Sequence, residues 1–499
     1  MMKTKKIYPV EWRKSHPLEL VAGSDAYYAD LATKVYDMLV ESDIFNNILD
    51  SEDLRKMAIN LTLWFEDLCT GTGFWQVVNK VCSGRYGRPL PFYNTAEYNP
   101  GEPNPQDIQL LLWDFVQSVD DKRIINPENP AIVHIAYQIY DLFYEEYEYA
   151  PATDKLKQFY YRPEIGTDYW ETRKVIESLS EKAYFSFRSG IVLGDVLLQE
   201  YQDAKGDPDR LDISIYAITI AHILTNRHNL LSLTCAEWLS AATGRTFELD
   251  TSMLATRMYA INSRSADIVQ LRDLATGTLY DVEEESFNLG WLEEYGNIIG
   301  LEVVCGLVRF NGKYYQCGSM ITKPGREVVE EWINQQRREE HAAEVIKENK
   351  EYLLKYSKGE PIIFLKGEKE LMDFYSRHGQ IEIPQDFKQK LRDTLTENCD
   401  NEMLALMPTD FEGTLIITVH IPAINAPNNP YYNQEYAKRH AHEIILSPAI
   451  IDYQALCQLI KLNYLPDAAL TSAKGYDHGN KFLQNNAQFL ADYFFAEHL

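Results

Sequence analysis

The sequence predicts a mostly α-helical α+β protein with a small antiparallel sheet near its middle. Three observations carry this. Apolar residues recur at helical spacing through most of the first 265 positions. Asn311-Gly312 separates two runs rich in Val, Phe, Tyr and Leu, Leu301–Phe310 and Lys313–Met320. Beyond residue 359, strand-length apolar runs alternate with helical ones.

The hairpin is the firmest local element. A two-residue type I′ turn needs positive φ at both central positions, which Asn and Gly tolerate. That turn fixes the register, pairing Phe310 with Lys313, Val308 with Tyr315 and Gly306 with Cys317. One face then carries Val304, Val308, Phe310, Tyr315 and Cys317. The other carries Val303, Cys305, Leu307 and Tyr314. Both are apolar, so both should be covered. Cys305 and Cys317 fall on opposite faces, too poorly aimed for a disulfide. Thr276-Gly277 should turn the chain into a third strand, Leu279–Val282. Three short strands need helices or a partial barrel closure to persist.

In chain order, residues 1–23 form an extended entry. Ser24 should cap a helix reaching Val40. Ser51 starts a second, with Leu54, Met57, Ala58, Leu61, Trp64, Phe65 and Leu68 on helical period. Gly71–Gly73 breaks it and Phe74–Cys82 continues. Ser83–Gln106 is a Pro- and Gly-containing loop. Helices follow at Asp107–Val119, Pro130–Tyr149, Glu171–Arg188, Ile191–Tyr201, Ile213–Thr225, Leu230–Ala242 and Met253–Ile261. After the β segment, Pro324 opens a long helix to about Ser357 with a polar waist, the pattern of a bridge between lobes. Ile362–Leu365 and Thr414–Ile421 read as strands. Glu368–Arg377, Gln385–Thr396, Ile450–Leu462 and about Asn480–Glu497 read as helices. The divisions expected are 1–265 helical, 266–323 β, 324–358 bridge and 359–499 α+β.

Composition narrows the class. The chain has 499 residues, a formal charge of -26 and 45% hydrophobic residues. The longest apolar stretch, Ile213–Leu224, is too short to span a bilayer, so no membrane insertion is expected. No apolar run follows the basic N-terminus as in a secretory leader, and the seven cysteines form no C-x-x-C pair. A cytoplasmic protein with reduced thiols is expected. The negative charge argues against a nucleic-acid backbone held over a broad surface. An acidic nucleic-acid mimic remains an alternative, although the acids are scattered. The 33 tyrosines favour interfaces. Glu145-Glu-Tyr-Glu148 closes one helix with an acidic, aromatic face, read first as a solvated surface, with a cationic partner as the alternative.

No established catalytic frame is present. Ser189-Gly190 lacks G-x-S-x-G, and Gly71-Thr-Gly73 lacks the third glycine of a dinucleotide loop. The best metal-like cluster is His440, His442 and Glu443. Helical spacing of Ala437, Ala441, Ile444 and Ile445 makes the two histidines diverge, and H-E-x-x-H is absent. Asp477 and His478 precede the last helix and complete the candidate residues, although Asp477 equally suits a cap. His134, His222 and His228 sit on or beside apolar helices, where hydrogen-bonded core histidines are common. No metal or other cofactor is expected.

Several phrases carry a resemblance. Ile7-Tyr-Pro-Val-Glu-Trp12, Asp25-Ala-Tyr-Tyr28, Asn429-Pro-Tyr-Tyr432, Leu465-Pro-Asp-Ala468 and Leu483-Gln-Asn-Asn with Phe489-Leu-Ala491 resemble an uncharacterised family of bacterial cytoplasmic proteins, chiefly of the Bacteroidetes. The resemblance spans nearly the whole chain and implies a domain of unknown function, with no activity to transfer. The leading expectation is a non-enzymatic protein that binds another macromolecule, namely a protein, through helical or Tyr-rich surfaces. The alternative is a hydrolase with a metal or acid/base site in the C-terminal part.

Overall fold

The computed structural model describes residues 6–17, 21–42, 49–120, 123–203, 208–255, 257–288, 296–322, 350–377, 403–408, 414–417, 420–446, 451–466 and 482–496, with single residues between them. It is a mostly helical α+β protein. Two compact units emerge: Met1–Val119 with Ala131–Arg338, and Asp120–Pro130 with Glu339–Leu499.

The first unit opens with α1 (Pro9–Lys14), α2 (Asp25–Glu41), α3 (Ser51–Thr70) and α4 (Phe74–Tyr86). Then come α5 (Pro105–Val119), α6 (Pro130–Glu146), α7 (Lys155–Tyr160), α8 (Tyr169–Lys182), α9 (Phe187–Asp203) and α10 (Pro208–Thr225). The helical period of the sequence explains the burial. Leu54, Met57, Ala58, Leu61, Trp64 and Phe65 all face inward on α3. Trp12, Trp64, Trp75, Trp113 and Trp238 are fully buried. Each removes a large apolar area from water, and together they anchor the helical core.

Local chemistry sets the helix ends. Gly71 at φ 62 stops α3 with its amide on Asp67 and Leu68 carbonyls. Ser24 precedes α2 but makes no side-chain cap. Instead Asp25 accepts from the Ala22 amide at 3.2 Å. The expected helix Glu171–Arg188 is broken after Lys182, and α9 starts at Phe187.

The short pair β1 (Arg227–His228) and β2 (Leu233–Thr234) precedes α11 (Cys235–Thr243). Thr234 and Glu237 form a reciprocal capping box there. Then come β3 (Leu249–Asp250), β4 (Arg257–Arg264), β5 (Ile268–Asp273), β6 (Leu279–Glu283), β7 (Glu302–Phe310) and β8 (Lys313–Thr322). The hairpin has the expected register, Phe310↔Lys313, Val308↔Tyr315 and Gly306↔Cys317. Asn311 and Gly312 adopt φ 47 and 84.

The sheet is larger than the sequence suggested, and it closes. β4 pairs with β5 and β7, β5 with β6, and β7 with β8. A parallel contact at Val282↔Tyr314 joins β6 to β8. The result is a five-stranded barrel. Its interior holds Tyr259, Ile261, Val269, Leu271, Val282, Val303, Cys305 and Leu307. The opposite face of the hairpin is covered by α8. Tyr169 stacks on Tyr315 at 4.1 Å, and Cys317 lies 3.8 Å from the Tyr169 hydroxyl. Both faces are therefore buried, with the two cysteines on opposite sides.

Met253–Ile261, expected as a helix, supplies β4 from Arg257. The run Met258–Ile261 is buried without alternation, so it showed no period of two. A register shift between Ile261 and Ser263 disrupts it further.

The second unit contains the antiparallel sheet β9 (Ile363–Lys366), β10 (Met403–Pro408) and β11 (Thr414–Ile417), with β10 central. Its helices include α12 (Gly367–Arg377), α13 (Gln434–His440), α14 (Tyr453–Lys461) and α15 (Phe482–Phe494). Leu483, Phe489, Leu490 and Tyr493 are buried on α15. The expected helix at 385–396 and most of the expected bridge at 324–358 lie outside the described residues.

Candidate functional site

The histidines singled out in the sequence sit in the second unit, where α13 tightens into a 3-10 turn, Ala441–Ile444. His440 is the last residue of the helix and Glu443 lies one turn on. His440 Nδ1 is 3.0 Å from Glu443 Oε1. His420 approaches the other carboxylate oxygen, with Nε2 3.3 Å from Oε2. The Tyr436 hydroxyl is 3.1 Å from His420 Nδ1, and its ring centroid is 4.3 Å from that of His440. One carboxylate thus serves two imidazoles.

This pattern fixes the neutral tautomers. An ionised Glu443 only accepts, so His420 donates from Nε2 and His440 from Nδ1. His420 Nδ1 then accepts from Tyr436, and His440 Nε2 keeps a lone pair. Burial holds His420 below the ordinary histidine range. The cluster can exchange protons, and its side chains are partly open to solvent. His442 does not join it. Its Nδ1 is buried without a hydrogen-bond partner, and burial pushes its pKa down. Asp477 and His478 lie outside the described residues. Among the described residues, no three His, Cys, Asp or Glu side chains are arranged to hold a metal ion. Tyr436 was legible from its place one turn before His440. His420, twenty positions upstream, had no local signal.

The first unit contains other acid–base pairs that the sequence did not join. Ser189 Oγ lies 2.7 Å from His222 Nε2 and accepts from Asn226 Nδ2 at 3.0 Å. The asparagine donor turns the serine hydroxyl toward the imidazole. This is the orientation of a nucleophile and base, but Ser189 is only 3% exposed. The pair acts as a tie between α9 and α10. His228 Nε2 sits 2.9 Å from Cys235 Sγ, both buried. Burial pushes the thiol pKa up and the histidine down to about 3. A neutral thiol donating to a neutral imidazole is the stable arrangement.

A small cleft of about 40 Å³ opens between the N-terminal segment, α3 and the end of α8, lined by His16, Glu66, Asp67, Tyr160 and Tyr184. That volume suits a few waters rather than a substrate. His16 Nε2 meets Glu66 at 2.6 Å while Nδ1 faces the Trp12 carbonyl at 3.1 Å. Burial alone would lower the histidine pKa; the bond to Glu66 outweighs it and holds it above the ordinary value. Asp67 accepts from the amides of Gly73, Phe74 and Trp75 and from the Tyr184 hydroxyl. It caps α4, although burial keeps its pKa raised.

Two helices each carry more than one exposed apolar side chain on their outer face. On α9 only Ser189 is buried. Leu198 is 57% and Tyr201 63% exposed, with Val196 exposed beside them. On α6 the inner face of Ile132, Ile135, Ala136, Ile139 and Phe143 is buried. Its outer side shows Tyr137 and Tyr144 to solvent. Among the described residues, no helix is long and apolar enough to cross a membrane.

These features define a two-unit, mainly helical protein with a small closed barrel and helical surfaces rich in exposed apolar and aromatic groups. The chain belongs to the family described as Protein of unknown function (DUF3843), whose model matches residues 6–265 and 312–496. The unmatched stretch between them contains β5, β6 and β7. No curated protein and no solved structure matches the chain.

Proposed function

We propose that this protein is a binding or scaffolding protein that grips another protein through the helical surface of its first unit. The supporting observation is α9: a 17-residue helix carrying Ile191, Val192, Leu193, Val196, Leu197, Leu198 and Tyr201, with only Ser189 buried. Its companion α10 exposes Tyr216. Exposed apolar groups clustered on one element mark interaction surfaces, and helix-in-groove recognition uses anchors at this spacing. A photo-cross-linking residue placed at position 198 in the native cell should give a discrete protein adduct. The same residue at exposed Lys56 should not, and Tyr201→Glu should abolish the adduct. Identical adduct patterns from positions 198 and 56 would defeat the proposal.

A second reading, an acid/base hydrolase in the second unit, draws on the His420–Glu443–His440 arrangement. The carboxylate at His440 Nδ1 leaves Nε2 as a base, the polarity that hydrolytic dyads use. Turnover of a simple ester panel that disappears in His440→Ala and Glu443→Gln would favour this reading. Equal background rates in all three proteins would remove it.

A further inference from the structure

We infer that the outer face of α6 is a docking surface for an arginine-rich segment of a partner protein. This goes beyond the α9 surface and uses a different helix.

The face carries two rings open to solvent, Tyr137 and Tyr144, with Tyr140 half-buried between them. Tyr137, Tyr140 and Tyr144 follow helical spacing on the side away from the core. Tyr137 is 47% and Tyr144 63% exposed, and Tyr149 just beyond the helix is 78% exposed. The Tyr140 and Tyr144 rings lie 5.6 Å apart at 35°, forming a short aromatic strip. Tyrosine is amphipathic, but two exposed rings beside a half-buried one leave apolar area in water.

The segment that carries the strip has charged residues of one sign. From Ala131 to Asp154 the chain has no Lys or Arg, and it carries Asp141, Glu145, Glu146, Glu148 and Asp154. Lys34 answers Glu146 at 3.0 Å. Asp141, Glu145 and Glu148 are exposed and join none of the ion pairs among the described residues. Glu102 is drawn in from the neighbouring loop, which Tyr147 pins by donating to the Gly101 carbonyl at 2.8 Å. Burial, the neighbouring Tyr144 and the charges of Asp141 and Glu102 raise the Tyr140 pKa. The rings and carboxylates therefore share one field.

This combination selects its occupant. A nucleic acid or a second copy of the same face would bring more negative charge. A lysine-rich segment would satisfy the charge but use the rings poorly, since its ammonium is a compact, strongly hydrated point. A guanidinium is planar and weakly hydrated; it stacks on tyrosine and bonds carboxylates with two parallel N–H groups. The spacing agrees. Tyr140 and Tyr144 are one turn apart, about 6 Å along the axis. Alternate residues of an extended peptide repeat every ~6.6 Å. An R-x-R segment laid along α6 would place two successive guanidinium groups over Tyr140 and Tyr144.

The test uses the full chain and two fluorescein-labelled peptides, alternating Arg-Gly and alternating Lys-Gly, read by anisotropy at low and moderate salt. The Arg peptide should bind in the micromolar range, at least fivefold more tightly than the Lys peptide. Tyr137→Ser with Tyr144→Ser should weaken it tenfold or more without changing net charge. Asp141→Asn with Glu145→Gln should weaken it and flatten the salt dependence. Asp267→Asn with Glu302→Gln on the barrel removes the same charge from exposed positions of another element and should leave binding unchanged. Melting curves establish that each variant is folded. Equal binding of the two peptides, or unchanged binding by the folded tyrosine variant, would overturn the inference in favour of diffuse attraction to an acidic protein. Leu198→Glu should leave this binding intact, so failure here and failure of the α9 surface are read separately.

Discussion

Single residues show how tightly the first unit is built. Gly306 stands in β7 where the chain crosses closely: an added Cβ would lie 2.3 Å from the Leu254 carbonyl oxygen and 3.2 Å from that of Cys317. Neither is a flexible side-chain tip, so the backbone must move. Gly306→Ala should cost on the order of 1–3 kcal/mol, the usual scale of overpacking, seen as a lower urea midpoint. Two buried histidines give opposite pH responses. His228 has a folded pKa of about 3 because burial penalises its charged form. Below roughly pH 6.5 the unfolded chain takes a proton that the native state refuses. Its contribution to stability is therefore lost as pH falls from that value toward 3. His16 has a raised folded pKa. Its contribution is complete below the unfolded value and fades as pH rises through the folded one. Urea midpoints should fall between pH 7 and 5, and His228→Gln should reduce that fall. An undiminished fall in a folded variant would contradict the assignment.

Elements depend on a few such groups. Asp67 holds three amides at the start of α4 and the Tyr184 hydroxyl. Asp67→Ala strands those donors in a buried site. It should cost about 2–4 kcal/mol, a cap together with an unsatisfied buried donor, measured by chemical denaturation. A loss below 0.5 kcal/mol would show that the loop finds other partners. The elements were unevenly legible in the sequence. The Asn311-Gly312 hairpin was readable to its register because the turn geometry depends on two adjacent residues. The helices were readable because their apolar stripes face one core. β4 was not, because its buried run of Met258–Ile261 lacks alternation. Barrel closure was not either, since Val282↔Tyr314 joins strands whose pairing no local pattern announces. The candidate histidines were legible only along α13. Tyr436 and His440 share a turn, whereas His420 reaches Glu443 only through the fold. Ser189 and His222 were each visible, but their meeting required the packing of α9 on α10.

At the scale of the molecule, the strand β7 has a particular standing. Along one side it bonds β8 over most of its length. Along the other it bonds β4 near its start and β3 near its end. Between those, the Leu307 amide donates to the Met253 carbonyl at 2.8 Å. A strand held along both margins cannot fray from one side. In heavy water its amides should be the last of the barrel to trade their protons, and they should do so together, at a rate set by opening of the whole ring. β6, tied to β8 at a single pair, should exchange much sooner. The ring would then come apart at that seam first, leaving β7 as the keel on which the barrel re-forms.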